Sequence, residues 1–352
     1  MITEIIKIDK DNPESDRIKK AVDKLQQGAI IAFPTETVYG LGANAKIPQA
    51  IERLYVIKNR PREKPFTFLA TNIAQIEENV KEILPAAYRL MDRYWPGPLT
   101  VILNSKDSQT IGFRIPRAKI AFNLIKLADF PIVAPSANLS GQQPALDVAR
   151  VIEDFSGKIE LIIDGGKVEI GESSTVVDVT KIPFKIIRSG SISQTEIENF
   201  SKKKTILFVC TGNSCRSVMA HAILEKRLKE ENRQDFEVVS AGIGAFEGMP
   251  ASKETIMLLA KEGIDVSNHC ARRLTDDMIK RSDLILVMQR FQEDNIIDRL
   301  PSAKGRVYLL KEFSRFAQDD LEIVDPIGKG ITVYQEVFSV IKEAVDRLID
   351  LI

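Results

Sequence analysis

The segment that most narrows the possible folds reads Thr205-Ile206-Leu207-Phe208-Val209-Cys210-Thr211-Gly212-Asn213-Ser214-Cys215-Arg216-Ser217-Val218-Met219-Ala220. A β-type apolar run ends at a cysteine, a short loop follows, and helical periodicity begins almost at once. A strand that feeds a helix through so tight a turn belongs to an open α/β sheet, where ligands sit at the carboxyl ends of the strands. The N–H groups of such a loop and of the first helical turn converge and bind a tetrahedral oxyanion. They also favour a negatively charged sulfur on Cys210, and Arg216 can grip two oxygens of a bound anion.

The alternation continues downstream, with strands predicted at 205–209, 236–240, 283–288 and 306–310. Helices are predicted at 217–230, 251–262, between the last two strands, and from about 331. This pattern predicts a parallel sheet covered by helices. The first half differs. Short apolar runs at 29–33, 66–70, 99–103, 131–134, 160–163, 175–179 and 185–187 are punctuated by proline and glycine, and helical periodicity falls at 15–27, 48–58, 74–94 and 145–155. It predicts an α/β unit with a mixed sheet. A chain of 352 residues at 44% hydrophobic exceeds one ordinary core. The polar stretch 193–204 marks the boundary, giving a domain over 1–195, a linker over 196–203 and a domain over 204–352.

Charge and rare residues exclude several functions. The 49 Lys and Arg balance 49 Asp and Glu, so no bulk basic field holds nucleic acid or an anionic membrane, and anion binding must be local. With only His221 and His269, a His-rich zinc site or a His-dependent triad lacks material, and no dedicated metal site is expected. Three cysteines do not make a disulfide scaffold in so long a chain; with no signal segment and no spanning apolar run, they predict a cytoplasmic protein. Cys270 reads as a packed thiol.

Cys-X5-Arg-Ser after a strand, Ser240-Ala241-Gly242 and Asp325-Pro326 together resemble the low-molecular-weight protein-tyrosine-phosphatase family over about 203–352. The resemblance implies a phosphotyrosine phosphatase I-like parallel-sheet α/β sandwich that acts on phosphoproteins without a cofactor. Carried over, Cys210 forms a phosphocysteine, Arg216 holds the phosphate, and Asp325 protonates the leaving group and then activates water. Thr211, Gly212, Asn213, Ser214, Cys215 and Ser217 form and support the phosphate loop. Ser217 steadies the thiolate, Asn213 holds the loop in shape, and Cys215 is the second thiol that pairs reversibly with the nucleophile in many members. The stretch Gly263 to His269 also looks like thioredoxin-coupled arsenate reductases, yet Leu286-Val287-Met288-Gln289 lacks their further redox cysteines. Ser214 and the tail Ile331-Thr332-Val333-Tyr334 resemble the protein-arginine-phosphatase branch, so phosphotyrosine and phosphoarginine both stay open.

In the first half, Pro34-Thr35-Glu36-Thr37-Val38-Tyr39-Gly40-Leu41-Gly42 follows a strand with hydroxyls and glycines that suit a polar ligand close to backbone. Next comes Lys58-Asn59-Arg60-Pro61-Arg62-Glu63-Lys64-Pro65, whose prolines predict extended geometry with alternate cations on one side, as a triphosphate would need. Together with Gly112 to Pro116, Ala134 to Gly141, Gly171 to Val176 and Ile187 to Gly190, these segments resemble the threonylcarbamoyl-AMP synthase family over about 10–195. The resemblance implies a YrdC-like α/β open twisted mixed sheet. It also implies an enzyme taking L-threonine, bicarbonate and ATP with Mg²⁺ to L-threonylcarbamoyladenylate and pyrophosphate, towards a modified adenosine in tRNA.

Residue by residue, Lys58, Arg60, Arg62, Thr110, Ser136, Asn138 and Arg188 fall to ATP. Thr35, Thr67, Arg114, Ala134 and Ser174 fall to threonine, with Arg114 facing its carboxylate. Pro144 stands near where the family usually has a hydroxyl, which weakens one expected ATP contact. Tyr39 either lines the pocket or packs. No covalent nucleophile is needed, because a carbamate held in line can attack the α-phosphate. Implied partners are tRNA and the tRNA-modification transferase machinery; a non-catalytic module for double-stranded RNA is the other reading of this half.

Overall fold

Apolar stripes and paired β runs organise a first unit, Met1–Ser201, and a second, Lys202–Ile352, in a computed structural model that describes residues 1–107, 109–315 and 320–352. The first unit runs β1 (Glu4–Lys7), α1 (Ser15–Gln26), β2 (Ile31–Pro34), β3 (Tyr39–Asn44), α2 (Pro48–Lys58), β4 (Thr67–Leu69), α3 (Ile73–Glu77), α4 (Pro85–Tyr94), β5 (Leu99–Asn104), β6 (Thr110–Arg114), α5 (Lys119–Leu127), β7 (Ile132–Val133), α6 (Val148–Phe155), β8 (Leu161–Asp164), β9 (Thr175–Asp178), β10 (Lys185–Arg188) and α7 (Gln194–Lys202). Its ten strands form one mixed sheet in the order β1-β8-β2-β3-β7-β4-β6-β5-β9-β10. β2 shows why both faces are covered. Ile31 and Phe33 pack with Ile18, Leu25 and Leu124 of α1 and α5, whereas Ile30 and Ala32 pack with Leu54 and Phe155 of α2 and α6. Strand alternation thus feeds two cores.

Several elements differ from the expectation. The stretch 74–94 is two helices, because Pro85 can start a helix but not continue one, and Val80 between them bridges to Ser105. β1, β6 and α5 were not anticipated, nor was β3, whose glycines suggested a loop. Gly42 has a packing reason: a Cβ there would lie 2.7 Å from the Phe33 ring on the paired strand. The stretch taken as a linker is largely helical, since Ile197 and Phe200 share one face of α7. Ile197 is fully buried and Phe200 meets Tyr94 edge-on at 5.8 Å.

The second unit runs β11 (Lys204–Cys210), α8 (Arg216–Glu230), β12 (Phe236–Gly242), α9 (Lys253–Lys261), α10 (Asp276–Arg281), β13 (Leu284–Val287), α11 (Arg290–Arg299), β14 (Val307–Leu309) and α12 (Ile331–Ile349). Its sheet has the order β12-β11-β13-β14, with every pair parallel. Ile206 and Phe208 face α8 and α12, while Leu207 and Val209 face Ile279 and Ile296 of α10 and α11. A strand buried on both faces explains the unbroken apolar run before Cys210. Only α10 was not anticipated here. Among the described residues, no helix is long and apolar enough to cross a membrane.

Candidate active sites

In the second unit, β11 ends at Cys210 beside Gly242 of β12, and α8 begins at Arg216. Cys210 Sγ accepts the Asn213 N–H at 3.2 Å and lies 3.0 Å from Ser217 Oγ. Asn213 adopts a left-handed φ of 50°, which an asparagine tolerates better than most residues. Its side chain donates to Ser217 Oγ at 3.0 Å and Ser240 Oγ at 3.1 Å, and accepts the Arg272 N–H at 2.8 Å. His269 Nε2 lies 2.7 Å from the Asn213 carbonyl; burial holds this imidazole below its ordinary range. The loop is therefore fixed from behind by three separate segments. Close approach also requires Gly242, where a Cβ would stand 2.6 Å from the Thr211 carbonyl.

Arg216 is 1% exposed yet fully engaged. Nη1 donates to Gln289 Oε1 at 2.6 Å and the Ile323 carbonyl at 2.9 Å, while Nη2 reaches Thr211 Oγ1 at 3.4 Å and Asp325 Oδ2. Asp325 thus faces the same loop as Cys210, half-buried, with its other oxygen accepting the Ile327 N–H at 3.2 Å. Gly212 and Ser214 complete the loop, and Ser214 Oγ lies 3.6 Å from Cys215 Sγ. Cys215 is buried with its sulfur 3.4 Å from the Tyr334 hydroxyl; burial and this contact push the phenol up to about 12. All three thiols are free. Cys270, expected to be packed, is exposed: inward-turned His269 beside it takes the buried position, and the thiol next in the loop points out.

Sequence reasoning missed Gln289 and Gln292. Gln292 is fully buried, accepts the N–H groups of Met288 and Gln289, and donates to Thr211 Oγ1 at 3.2 Å. Nothing in the local pattern distinguishes two glutamines at the start of an exposed helix.

In the first unit, Arg60, Thr67, Arg114, Ala134, Ser136, Ser174 and Arg188 line one polar cavity of about 70 Å³. The sheet gathers them: β4 pairs β6 in parallel and β7 antiparallel, and β10 lies beside β9. Arg188 donates to the Ser174 carbonyl at 2.8 Å, and Ser174 Oγ lies 2.8 Å from Thr100 Oγ1, a wall residue not anticipated. Burial and the nearby charges of Arg114 and Arg60 hold the Arg188 guanidinium below its ordinary range. Three guanidinium groups thus converge on this cavity, one of them, Arg114, paired with Glu36.

The remaining predicted residues stand elsewhere. Lys58 is 2% exposed and donates to the carbonyls of Ser136 and Asn138, so it braces that loop, and burial with the charge of Arg60 pushes it down to about 7. Asn138 Nδ2 donates to the carbonyls of Leu139 and Gln142 and its Oδ1 accepts Ser136 Oγ at 2.6 Å. The expected row of cations on one side does not form. Lys58 ends α2, Asn59 turns left-handed with φ 49°, Arg60 folds onto the Lys64 and Pro65 carbonyls, and Arg62 is exposed and paired with Glu52. Thr110 is exposed at the start of β6. Thr35 bonds the Val38 carbonyl at 2.6 Å and walls a second, larger cleft of about 520 Å³. Tyr39 packs, fully buried, with its hydroxyl donating to the Gly166 carbonyl at 2.7 Å.

The chain therefore joins two α/β units, one with a buried cysteine in a tight strand-to-helix loop and one with a polar cavity lined by arginines. Residues 205–352 match the family described as low molecular weight phosphotyrosine protein phosphatase, and residues 23–190 match Sua5_yciO_yrdC, described as telomere recombination. Over 143 residues the chain is 42% identical to the probable low molecular weight protein-tyrosine-phosphatase EpsP of Ralstonia nicotianae, covering 41% of this chain and 92% of that relative. Over 191 residues it is 42% identical to the threonylcarbamoyl-AMP synthase of Pyrococcus abyssi, covering 52% of this chain and 56% of that relative, so it spans little more than half of the synthase. The solved structure of P. abyssi Sua5 complexed with L-threonine is 27% identical with a TM-score of 0.54, covering 98% of each chain. Through its second unit the chain belongs to the low molecular weight phosphotyrosine protein phosphatase family, and its first unit carries the Sua5_yciO_yrdC match over residues 23–190.

Proposed function

We propose that this is a bifunctional enzyme, a threonylcarbamoyl-AMP synthase joined to a protein phosphatase. The observation that carries the first activity is the convergence of Arg60, Arg114 and Arg188 on one small polar cavity. Threonine's amine condenses with bicarbonate, with loss of water, to a carbamate, whose oxygen attacks the α-phosphorus of ATP; the bond to the β-phosphate breaks and pyrophosphate leaves. In this reading Arg114 takes the threonine carboxylate, with Thr67, Ala134 and Ser174 about the rest of the amino acid and Thr35 on the neighbouring cleft. Arg60, Arg188, Ser136 and Asn138 hold the nucleotide, and Lys58 braces their loop. Mg²⁺ enters on the triphosphate. The product is passed to tRNA by the modification machinery.

The second activity rests on the sulfur of Cys210 held between Ser217 and the Asn213 N–H, with Arg216 and Asp325 facing it. The thiolate attacks phosphorus, Asp325 gives its proton to the departing phenol or guanidine, and the same carboxylate then takes a proton from the water that cleaves the thiophosphate. Substrates are phosphotyrosine or phosphoarginine proteins, separated by assaying both phosphopeptides. Asp325→Asn is expected to slow turnover about 10²-fold, most for poor leaving groups; equal slowing of good and poor leaving groups removes it from the acid role.

The synthase reading is tested by pyrophosphate release from ATP with Mg²⁺ and bicarbonate, with and without L-threonine. Threonine-dependent release with threonylcarbamoyladenylate identified by mass spectrometry is the expected result. No release from folded protein overturns it and favours a double-stranded-RNA-binding role for the first unit.

A further inference from the structure

Two hollows of the first unit meet at one buried ion pair. Arg114 lines the small polar cavity, whereas Glu36 lines the larger cleft, and the two side chains join through Arg114 Nη2 and Glu36 Oε1 at 2.6 Å. Both are buried, with Arg114 at 7% and Glu36 at 3% exposure. Every oxygen of the carboxylate is committed, because Oε2 accepts the N–H groups of Arg117 and Ala118, each at 3.1 Å. On the arginine, Nε donates to the Gly97 carbonyl at 3.2 Å, and Nη1 has no hydrogen-bond partner among the described residues.

We propose that Glu36 is a positioning residue, which clamps Arg114 from behind the cavity so that the guanidinium meets the carboxylate of the amino-acid substrate, while Glu36 itself never touches that substrate. This rests on the synthase reading, in which Arg114 faces threonine. The chemistry requires an acid here. Three N–H donors converge on the two oxygens, and only a carboxylate is acceptor at both. A glutamine turns its amide –NH₂ either towards Arg114 or towards the two backbone N–H groups, and one side loses its partner. Burial alone would raise the Glu36 carboxyl, but the charge and hydrogen bond of Arg114 and the backbone donors outweigh it, so the group stays below the ordinary range and ionised. Its charge offsets that of Arg114, which leaves the repulsion from Arg60 and Arg188 bearable while the cavity is empty.

The test compares L-threonine with L-threoninamide, which lacks the carboxylate, by calorimetry on the full chain and by threonine-dependent pyrophosphate release. Glu36→Gln is expected to weaken L-threonine on the order of tenfold, seen in KM rather than kcat, and to change threoninamide by less than about twofold. Equal weakening of both ligands, or of neither, overturns the positioning role. If Glu36→Gln does not fold, the same pair is read on Glu36→Asp, which keeps the charge but retracts it by one methylene; it must again penalise L-threonine selectively, and equal penalties overturn the proposal. Wild-type protein that binds neither ligand sinks the synthase reading along with this one, whereas wild-type discrimination without a selective variant effect sinks Glu36 alone.

Discussion

The two candidate sites are built in opposite ways. In the second unit, Cys210 to Ser217 supply sulfur, inward N–H groups, hydroxyl and guanidinium from one unbroken stretch between β11 and α8. In the first, the cavity draws Arg60, Thr67, Arg114, Ser136, Ser174 and Arg188 from segments far apart in sequence. Each has a buried arginine paired with a carboxylate, Arg216 with Asp325 and Arg114 with Glu36, but only the first unit adds a buried lysine, Lys58, held by two carbonyls. One loop conformation makes the first kind of site. The second kind exists only where sheet register brings its pieces together.

The largest break in this comparison is expected from Cys210→Ser, which should abolish phosphatase turnover, by at least about 10³-fold, while phosphate still binds through the loop amides and Arg216. Because the nucleophile belongs to one unit, threonine-dependent pyrophosphate release should be unchanged; loss of both activities in paired assays would mean that the units are not independent.

Smaller effects should come from two glycines that seat the sites. An alanine at Gly242 would press on the Thr211 carbonyl and, at 2.8 Å, on the Asn213 nitrogen, while one at Gly190 would stand 2.2 Å from the Ser173 carbonyl. All of these are backbone atoms, so something must shift, at a cost of about 1–3 kcal/mol by overpacking. Gly242→Ala should cut phosphatase kcat/KM by about tenfold or more, and Gly190→Ala should cut only pyrophosphate release. Either variant retaining its own site's activity in full would show that the loop around it has slack.

A further effect concerns stability and pH rather than activity. Lys58 is pushed from 10.5 down to about 7 by burial and the charge of Arg60. Between those values the unfolded chain holds more protons than the native one, so stability rises with pH from about 7 to 10.5, and the penalty is present in full below 7. Lys58→Met should flatten that rise in urea midpoints at pH 6.5 and 9.5. An unchanged slope would assign it to other groups.

This contrast also explains what could be read from the chain. The Cys210 loop was legible because its chemistry is contiguous and its flanking strand and helix have clear periods. The cavity was legible only as a series of motifs, and within them contacts could not be ordered. Arg62 was placed with its neighbours by spacing, yet left-handed Asn59 and the pair with Glu52 turn it away. Glu36 and Thr100 act through partners dozens of residues distant, so no local pattern marks them. β3 was hidden because glycines that make room for a ring look the same in sequence as glycines that bend a loop.

The pairing of Arg216 with Asp325 has a consequence for which anions the loop admits. The guanidinium has a negative partner in Asp325, which an incoming anion must share or displace. A chloride or a simple carboxylate would exchange one negative charge for another and gain little. A phosphate dianion brings twice the charge and a tetrahedron of acceptors for the loop amides, so the exchange favours it. The pairing is therefore expected to favour a phosphate dianion over a monoanion of similar size.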